Sequence, residues 1–130
     1  MDFGIIIQAR MSSKRFPGKV LKKIVGKPLL EIMLNRVWKI KNNVEIIVAT
    51  SNLKIDDPIE NLCKKLSINY FRGPHHDVMN RYIKCANQYN IKTIIRLTGD
   101  APLIDPAIVD LSINEYKKRN VDYLSTTYPP

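Results

Sequence analysis

The chain has 130 residues, and its 21 lysines and arginines against 12 aspartates and glutamates give a net charge of +9. Hydrophobic residues make up 45% and charged residues 25%, an ordinary composition for one globular domain with a buried core. No apolar run approaches the roughly 18 residues that a membrane span needs, and the N-terminal segment does not have the pattern of a secretory signal. We therefore expect a single cytoplasmic domain over residues 1–130, without a membrane partner, whose positive charge attracts a polyanion.

Short β-branched runs alternate with amphipathic segments along the whole chain. The pattern predicts five strands, at residues 2–9, 44–50, 68–71, 93–98 and 121–126. It predicts four helices, at residues 26–40, 56–66, 77–89 and 105–119. Asp57 and Asp77 are the expected N-caps of the second and third helices. Pro28 fits the first helical position of the first helix, and Trp38 is expected in the core. The alternation indicates an α/β domain with a mostly parallel sheet and helices on both faces.

The loop after the first strand, "QARMSSKRFPGK", is rich in cations. Its charged residues are Arg10, Lys14, Arg15 and Lys19. In parallel sheets the ligand lies outside the carboxyl ends of the strands, and cationic side chains with nearby backbone N–H groups suit a polyphosphate. The loop has neither the Walker A pattern nor GxGxxG, so a phosphate site here depends on side-chain cations. The alternative is a basic surface loop with no ligand.

An acidic segment, "GDAPLID", follows the fourth strand. Asp100 lies at the same predicted edge as the cations, and a carboxylate beside a polyphosphate requires a bridging cation, for which Mg²⁺ is the usual choice. Asp105 precedes a proline and is better explained as an N-cap, and the same holds for Asp56 and Asp57. We expect Cys63 and Cys85 to be reduced, packed thiols, and the pair His75-His76 to be an exposed loop.

Four stretches together resemble a known family. The segment "IIIQARMSSKRFPGKVLKKIVGKPLLEIMLNRV" resembles the opening of the cytidylyltransferases that make CMP-activated acidic sugars, and most of all their SpsF-type spore-coat-polysaccharide branch. "VATS", "YFRGPHHDVMNRY" and "IIRLTGDAPLIDP" resemble later blocks of that branch in the same order. The resemblance implies a Rossmann-like three-layer α/β/α sandwich of the nucleotide-diphospho-sugar transferase type. It also implies that a sugar hydroxyl attacks the α-phosphate of CTP, that pyrophosphate leaves, and that Mg²⁺ neutralises the phosphates.

The resemblance also implies roles for individual residues. Arg10 and Lys19 are the implied catalytic residues and line the triphosphate with Ser13 and Arg15. The implied residues around the base and ribose are Thr50, Ser51, Arg72, Gly73, Asp77 and Arg81. Asp100 is the implied metal ligand. Asp77 also has a simpler explanation as a helix cap, and Arg81 as its ion-pair partner one helical turn later.

Proteins of this family continue well beyond residue 130, with the sugar-binding region, a second acidic ligand and dimer contacts in the C-terminal half. The chain is therefore expected to be an apparently truncated N-terminal half, either a fragment of a longer gene product or a natural half-protein. A homodimer stays open. The expected partners are CTP and an acidic sugar. Alternatives are a CTP- or NTP-binding fragment without full activity, or another sugar-nucleotide pyrophosphorylase. A basic nucleic-acid-binding domain is disfavoured because no RRM, KH or zinc motif is present.

Overall fold

The computed structural model describes residues 3–12, 16–99 and 104–119. In chain order its strands are β1 (Phe3–Gln8), β2 (Lys23–Ile24), β3 (Lys27–Pro28), β4 (Glu45–Ser51), β5 (Asn69–Gly73) and β6 (Thr93–Thr98). Its helices are α1 (Leu29–Val37), α2 (Asp57–Lys65), α3 (Val78–Gln88) and α4 (Pro106–Lys118). Two short 3-10 turns cover Lys19–Leu21 and Lys54–Asp56.

The main sheet has the strand order β5-β4-β1-β6, and all three neighbouring pairs are parallel. The predicted α/β fold with a parallel sheet is therefore confirmed. Four of the five predicted strands agree with the structure to within two residues at each end. The fifth, at residues 121–126, lies outside the described residues.

Helices cover both faces of the sheet. On one face, Ile5 and Ile7 of β1 form a core with apolar side chains from α1, α2 and α4. On the other face, Ile6 packs against Tyr82 and Cys85 of α3. This division follows from the alternation of side chains along a strand, and the buried isoleucines of β1 are what a central parallel strand requires. None of the helices in the described part of the chain has the length and apolar character to cross a membrane.

The prediction for the first helix was wrong at both ends. Residues Lys23–Pro28 form a β-hairpin whose turn residues, Val25 and Gly26, have φ values of 51° and 81°. Positive φ values are incompatible with a helix, so α1 begins only after Pro28, which occupies the N-cap position in an extended conformation. The helix ends at Val37, and Trp38 is half exposed rather than part of the core.

The later helix starts agree better with the sequence. Asp77 caps α3 by accepting the Asn80 N–H at 2.9 Å, and Asp105 caps α4 by accepting the Ala107 N–H at 2.9 Å. Both predicted caps are confirmed. For α2 the N-cap residue is Asp56 rather than Asp57, and the Asp56 side chain makes no capping bond.

Both cysteines are free and buried, as predicted. Burial raises the pKa of the Cys63 thiol to about 12 and that of the Cys85 thiol to about 11. Both thiols are therefore protonated at neutral pH, and their role is packing.

The loop between α1 and β4 is fastened to α4 through Asp110. The Asp110 carboxylate accepts the Lys41 N–H at 2.9 Å, the Asn42 N–H at 3.0 Å and the Asn42 side-chain N–H at 2.8 Å. Partial burial by itself raises the pKa of this carboxyl, but the hydrogen bonds from Lys41 and Asn42 outweigh it and the pKa is lowered from the ordinary value of 3.8.

We predict that Asp110→Asn lowers the free energy of unfolding by about 1 kcal/mol at pH 7, because one acceptor oxygen is replaced by a donor facing N–H groups. Since the pKa of Asp110 is lower in the folded state, its contribution is present above pH 3.8 and is lost as the pH falls through the folded value. Urea unfolding at pH 7 and pH 3 checks this. A loss of unfolding free energy in Asp110→Asn that is larger at pH 3 than at pH 7 would contradict it.

Candidate functional site

The strand order reverses between β1 and β6, because β1 is connected to β4 on one side while β6 pairs with its other side. In open parallel sheets this is the place where ligands bind, outside the carboxyl ends of the strands. A cleft of about 340 Å³ opens there. Its described lining consists of Gln8, Arg10, Ser12, Lys19, Val20, Val78, Arg81, Thr98 and Gly99.

The cleft brings together three of the predicted site residues, namely Arg10, Lys19 and Arg81. Five others lie elsewhere: Thr50, Ser51, Arg72, Gly73 and Asp77 are not part of the lining. Ser13, Arg15 and Asp100 lie outside the described residues. Three further lining residues stand where two predicted strands end, namely Gln8, Thr98 and Gly99. They were not predicted as site residues, nor were Ser12, Val20 and Val78.

Arg10 lies between two peptide groups that are fixed by hydrogen bonds. The Ala9 N–H donates to the Ala49 carbonyl at 3.0 Å. The Met11 N–H donates to Asp56 Oδ1 at 2.8 Å, and the Met11 carbonyl accepts the Gly18 N–H at 2.7 Å. The backbone of Arg10 is therefore held at the end of β1 while its side chain is exposed and lines the cleft.

Arg81 is the buried cation of the cleft. Only 3% of the residue is exposed. With the Gln8 amide oxygen turned toward the guanidinium, this oxygen accepts hydrogen bonds from both terminal nitrogens of Arg81, at 2.9 and 3.3 Å. The Nε–H of Arg81 has no hydrogen-bond partner among residues 3–12, 16–99 and 104–119. The described residues show no Arg81–Asp77 ion pair, so the simpler explanation of Arg81 as a partner for the helix cap is not supported.

Gly73 and Gly99 give the cleft its shape. A Cβ on Gly73 would lie 2.9 Å from Cγ of Arg81 and 2.8 Å from the Phe71 ring, so the missing side chain leaves the space that the Arg81 stem occupies. A Cβ on Gly99 would lie 3.0 Å from Cβ of Ala9. The Gly99 N–H donates to the Gln8 carbonyl at 2.8 Å, which keeps the carboxyl ends of β1 and β6 in close contact. Gly73 was predicted to contact the nucleotide, but in the structure it makes room for Arg81.

Arg72 was predicted near the base and ribose, but its guanidinium is committed to the fold. Its Nε donates to the Ser51 carbonyl, and Nη2 donates to the Leu53 carbonyl at 2.7 Å. Asp57 lies 3.1 Å from Nη2 and Glu60 lies 3.2 Å from Nη1. The side chain therefore ties β5 to the segment that follows β4.

Thr50 and Ser51 are completely buried at the end of β4. The Ser51 hydroxyl donates to Asp56 Oδ2 and accepts the Leu53 N–H at 3.1 Å. Asp77 is occupied in capping α3. These three residues shape the carboxyl edge of the sheet instead of facing the cleft.

The electrostatics of the cleft favour an anion. Burial lowers the pKa of the Arg81 guanidinium, Asp56 and Tyr82 act in the opposite direction, and the nearby charge of Arg10 lowers it further. Two guanidiniums line one cleft whose described lining contains no carboxylate. The amino end of α3 meets the cleft at Val78 and adds the positive end of a helix dipole.

No group of three or more His, Cys, Asp or Glu side chains that could hold a metal occurs among the described residues. His75 and His76 pack edge to face, with ring centroids 4.9 Å apart. They lie in the β5–α3 loop and are not part of the cleft lining, in agreement with their prediction as a loop.

A parallel α/β sheet with a cationic cleft at its switch point is the arrangement of a nucleotide-binding protein. Residues 4–130 match the family model described as Cytidylyltransferase. The chain therefore belongs to the cytidylyltransferase family.

Three relatives show how far the similarity extends. The chain is 38% identical over 126 residues to the spore coat polysaccharide biosynthesis protein SpsF of Bacillus subtilis (strain 168), covering 94% of this chain and 52% of that protein. A cytidylyltransferase structure from Leptospira borgpetersenii serovar Hardjo-bovis is 41% identical with a TM-score of 0.87, over 92% of this chain and 50% of the other. The structure of CMP:2-keto-3-deoxy-manno-octonic acid synthetase complexed with CTP is 25% identical with a TM-score of 0.76, over 91% of this chain and 48% of the other. The chain thus spans about half the length of these relatives.

We predict that Arg72→Ala lowers the free energy of unfolding by about 2–4 kcal/mol, because two carbonyls and two carboxylates lose their shared partner. The control is Lys54→Ala, because Lys54 is an exposed cation in the segment after β4 that Arg72 contacts. This substitution should change the free energy of unfolding by less than about 0.5 kcal/mol. Chemical denaturation of both variants checks this. Equal, small effects would mean that the Arg72 contacts are not stabilising.

Proposed function

We propose that this chain binds CTP in the cleft at the ends of β1 and β6, and that the protein transfers CMP to an acidic sugar with release of pyrophosphate. The observation that carries the proposal is the pair of guanidiniums, from Arg10 and Arg81, in a cleft without a described carboxylate. Membership of the cytidylyltransferase family supports the choice of nucleotide. A relative at 25% identity was solved with CTP, which agrees with that choice.

The proposed reaction forms a bond between a sugar hydroxyl oxygen and the α-phosphorus, and breaks the bond from that phosphorus to the β-phosphate oxygen. The hydroxyl loses its proton, and pyrophosphate leaves with the bonding electrons. In phosphoryl-type transfer the protein contributes mainly positioning and charge stabilisation. We assign Arg10 and Lys19 to the triphosphate, because both line the cleft beside the carboxyl end of β1. Arg81 would offer a positioned guanidinium, since Gln8 binds its terminal nitrogens and Gly73 leaves space for its stem.

Magnesium is proposed from the chemistry of the donor set. The described lining supplies cations, hydroxyls and an amide but no carboxylate, so these residues alone fit phosphate and do not fit Mg²⁺. The protein ligand would be Asp100, which follows Gly99 in the sequence and lies outside the described residues. When bound, Mg²⁺ would neutralise phosphate charge. Ser13 and Arg15, also outside the described residues, stay proposed phosphate contacts from the resemblance.

The acceptor is proposed to be an acidic sugar because one relative is a CMP:2-keto-3-deoxy-manno-octonic acid synthetase. A role in spore-coat or other cell-surface polysaccharide biosynthesis is proposed from the similarity to SpsF. A cytoplasmic location is proposed from the sequence, and homodimer formation is proposed from the family resemblance. Another sugar-nucleotide pyrophosphorylase activity is the alternative, and nucleotide choice separates the two.

We predict that CTP with Mg²⁺ raises the melting temperature more than ATP, GTP or UTP at the same concentration. A ligand present at 100 times its dissociation constant adds about 2.7 kcal/mol to the stability of the folded state. Differential scanning fluorimetry of the protein with each nucleotide checks this. Equal shifts from all four nucleotides would mean that the site recognises phosphate alone, and the cytidylyl assignment would lose its support.

We predict that Arg10→Ala and Lys19→Ala each raise the dissociation constant for Mg·CTP about tenfold or more, since a charged hydrogen bond to phosphate contributes about 1.5–3 kcal/mol. Lys23→Ala is the control, because Lys23 is exposed on β2 and outside the cleft lining. It should change the constant by less than about threefold. Lys22 is a poorer control because its ammonium lies 4.4 Å from the centroid of the Phe16 ring. Calorimetry measures the dissociation constant of all three variants. Equal losses of affinity in the three would indicate that the loop acts as a diffuse basic patch.

A further inference from the structure

Asp56 is a completely buried carboxylate that the cleft lining does not explain. It is 1% exposed and occupies the N-cap position of α2, yet its side chain makes no capping bond. No lysine or arginine forms an ion pair with it in the described part of the chain. Burying a charge is costly unless its hydrogen bonds are satisfied, so its partners indicate what it stabilises.

The two carboxylate oxygens of Asp56 have different partners. Oδ2 accepts a hydrogen bond from the Ser51 hydroxyl, and the Ser51 hydroxyl oxygen accepts one from the Leu53 N–H. Oδ1 accepts the Met11 N–H at 2.8 Å, across 45 positions of sequence. The first contact is local to the turn after β4, whereas the second joins that turn to the loop after β1.

The Met11 peptide is the point at which the loop after β1 is fixed. Its N–H is bound by Asp56 and its carbonyl by Gly18. Two positions earlier, the Ala9 N–H donates to the carbonyl of Ala49 in β4. Arg10 stands between these two fixed peptides. The bond that Asp56 makes therefore helps to fix the backbone from which the Arg10 side chain extends.

We propose that Asp56 is a positioning residue, which holds the Met11 peptide and thereby keeps the Arg10 guanidinium in the cleft for a phosphate of the nucleotide. The identity of that ligand rests on the proposed function, but the hydrogen bond to Met11 does not. Asp56 acts through Arg10 and contacts no ligand itself.

A carboxylate suits this position better than an amide. The Met11 N–H and the Ser51 hydroxyl are both donors, and an ionised carboxylate offers each of them an acceptor. An asparagine would present its NH₂ group to one of the two, leaving a buried donor without a partner. Asp56→Asn therefore keeps the size of the side chain and removes one acceptor.

The test compares Asp56→Asn with Asp110→Asn by calorimetry with Mg·CTP, at a temperature at which circular dichroism shows every variant folded. Asp110 is a matched control, because it also accepts backbone N–H groups from a distant loop but lies away from the cleft. We expect Asp56→Asn to raise the dissociation constant about tenfold or more, and Asp110→Asn to change it by less than about threefold. An unchanged constant for Asp56→Asn would overturn the proposal.

A second comparison separates positioning of Arg10 from a general loss of structure. If Asp56 acts through Arg10, Asp56→Asn should change the constant by less than about threefold when Arg10→Ala is already present. The same loss in both backgrounds would show that Asp56 does not act through Arg10.

Amide hydrogen exchange tests the hydrogen bond without a ligand or a variant. In the wild-type protein the Met11 amide should exchange about a hundredfold or more slowly than in an unstructured peptide. Exchange at nearly the peptide rate would overturn the proposal, even if Asp56→Asn fails to fold. Should the wild type not bind Mg·CTP, the proposed function fails, while protection of the Met11 amide still supports the part of the proposal that concerns Asp56 and the loop.

Discussion

The buried guanidinium of Arg81 is the constraint on which the carboxyl edge of this sheet depends. A charge removed from water is costly, and burial accordingly lowers its pKa. Gln8 satisfies the two terminal nitrogens, whereas Nε has no hydrogen-bond partner in the described part of the chain. An anion in the cleft would offset the remaining cost. The fold therefore keeps a cation partly unsatisfied at the place where a parallel sheet binds its ligand.

Two arginines nine positions apart illustrate how the same side chain serves different purposes. Arg72 donates to two carbonyls and two carboxylates, so its charge and its donors are already matched within the protein. Arg81 has an amide oxygen as its described partner and faces a second cation, Arg10. Matching within the protein makes Arg72 a structural residue. The lack of it supports the proposal that Arg81 is a binding residue.

The positioning of these cations involves contacts on every side of the cleft. Gly73 leaves space for the stem of Arg81, and Gly99 allows β6 to approach β1 closely. Asp56 reaches from the turn after β4 to the loop after β1. The contacts of Gly99 and Asp56 join residues that are distant in sequence, so this part of the site depends on assembly of the sheet.

The sequence predicts the elements of this fold because hydrophobic periodicity and local capping are written in neighbouring residues. Asp77 and Asp105 illustrate this, since each binds an N–H two or three positions away. The hairpin at Val25 and Gly26 was missed because a β-branched residue is rarely found at positive φ. Asp56 and Asp57 are adjacent, and no local rule tells which one is buried.

Part of the candidate site could also be predicted. Arg10 and Lys19 follow a predicted strand, and their place at its carboxyl end required only the general rule for parallel sheets. Arg72, Thr50 and Ser51 were predicted around the base and ribose, but they are not part of the cleft lining. A resemblance gives a position along the chain and not the partners that a side chain meets. Those partners come from segments brought together by folding.

The position of the nucleotide site can be tested directly by nuclear magnetic resonance of the ¹⁵N-labelled protein, titrated with Mg·CTP. The Nε–H signals of Arg81 and Arg10 and the amide signals of Gln8, Ser12 and Gly99 should shift together with one dissociation constant. The Nε–H signal of Arg72 should shift little, as should the indole signal of Trp38 at the opposite edge of the sheet. Shifts centred on Arg72 or Trp38, with the Arg81 signal unchanged, would contradict the claim that the cleft between β1 and β6 is the nucleotide site.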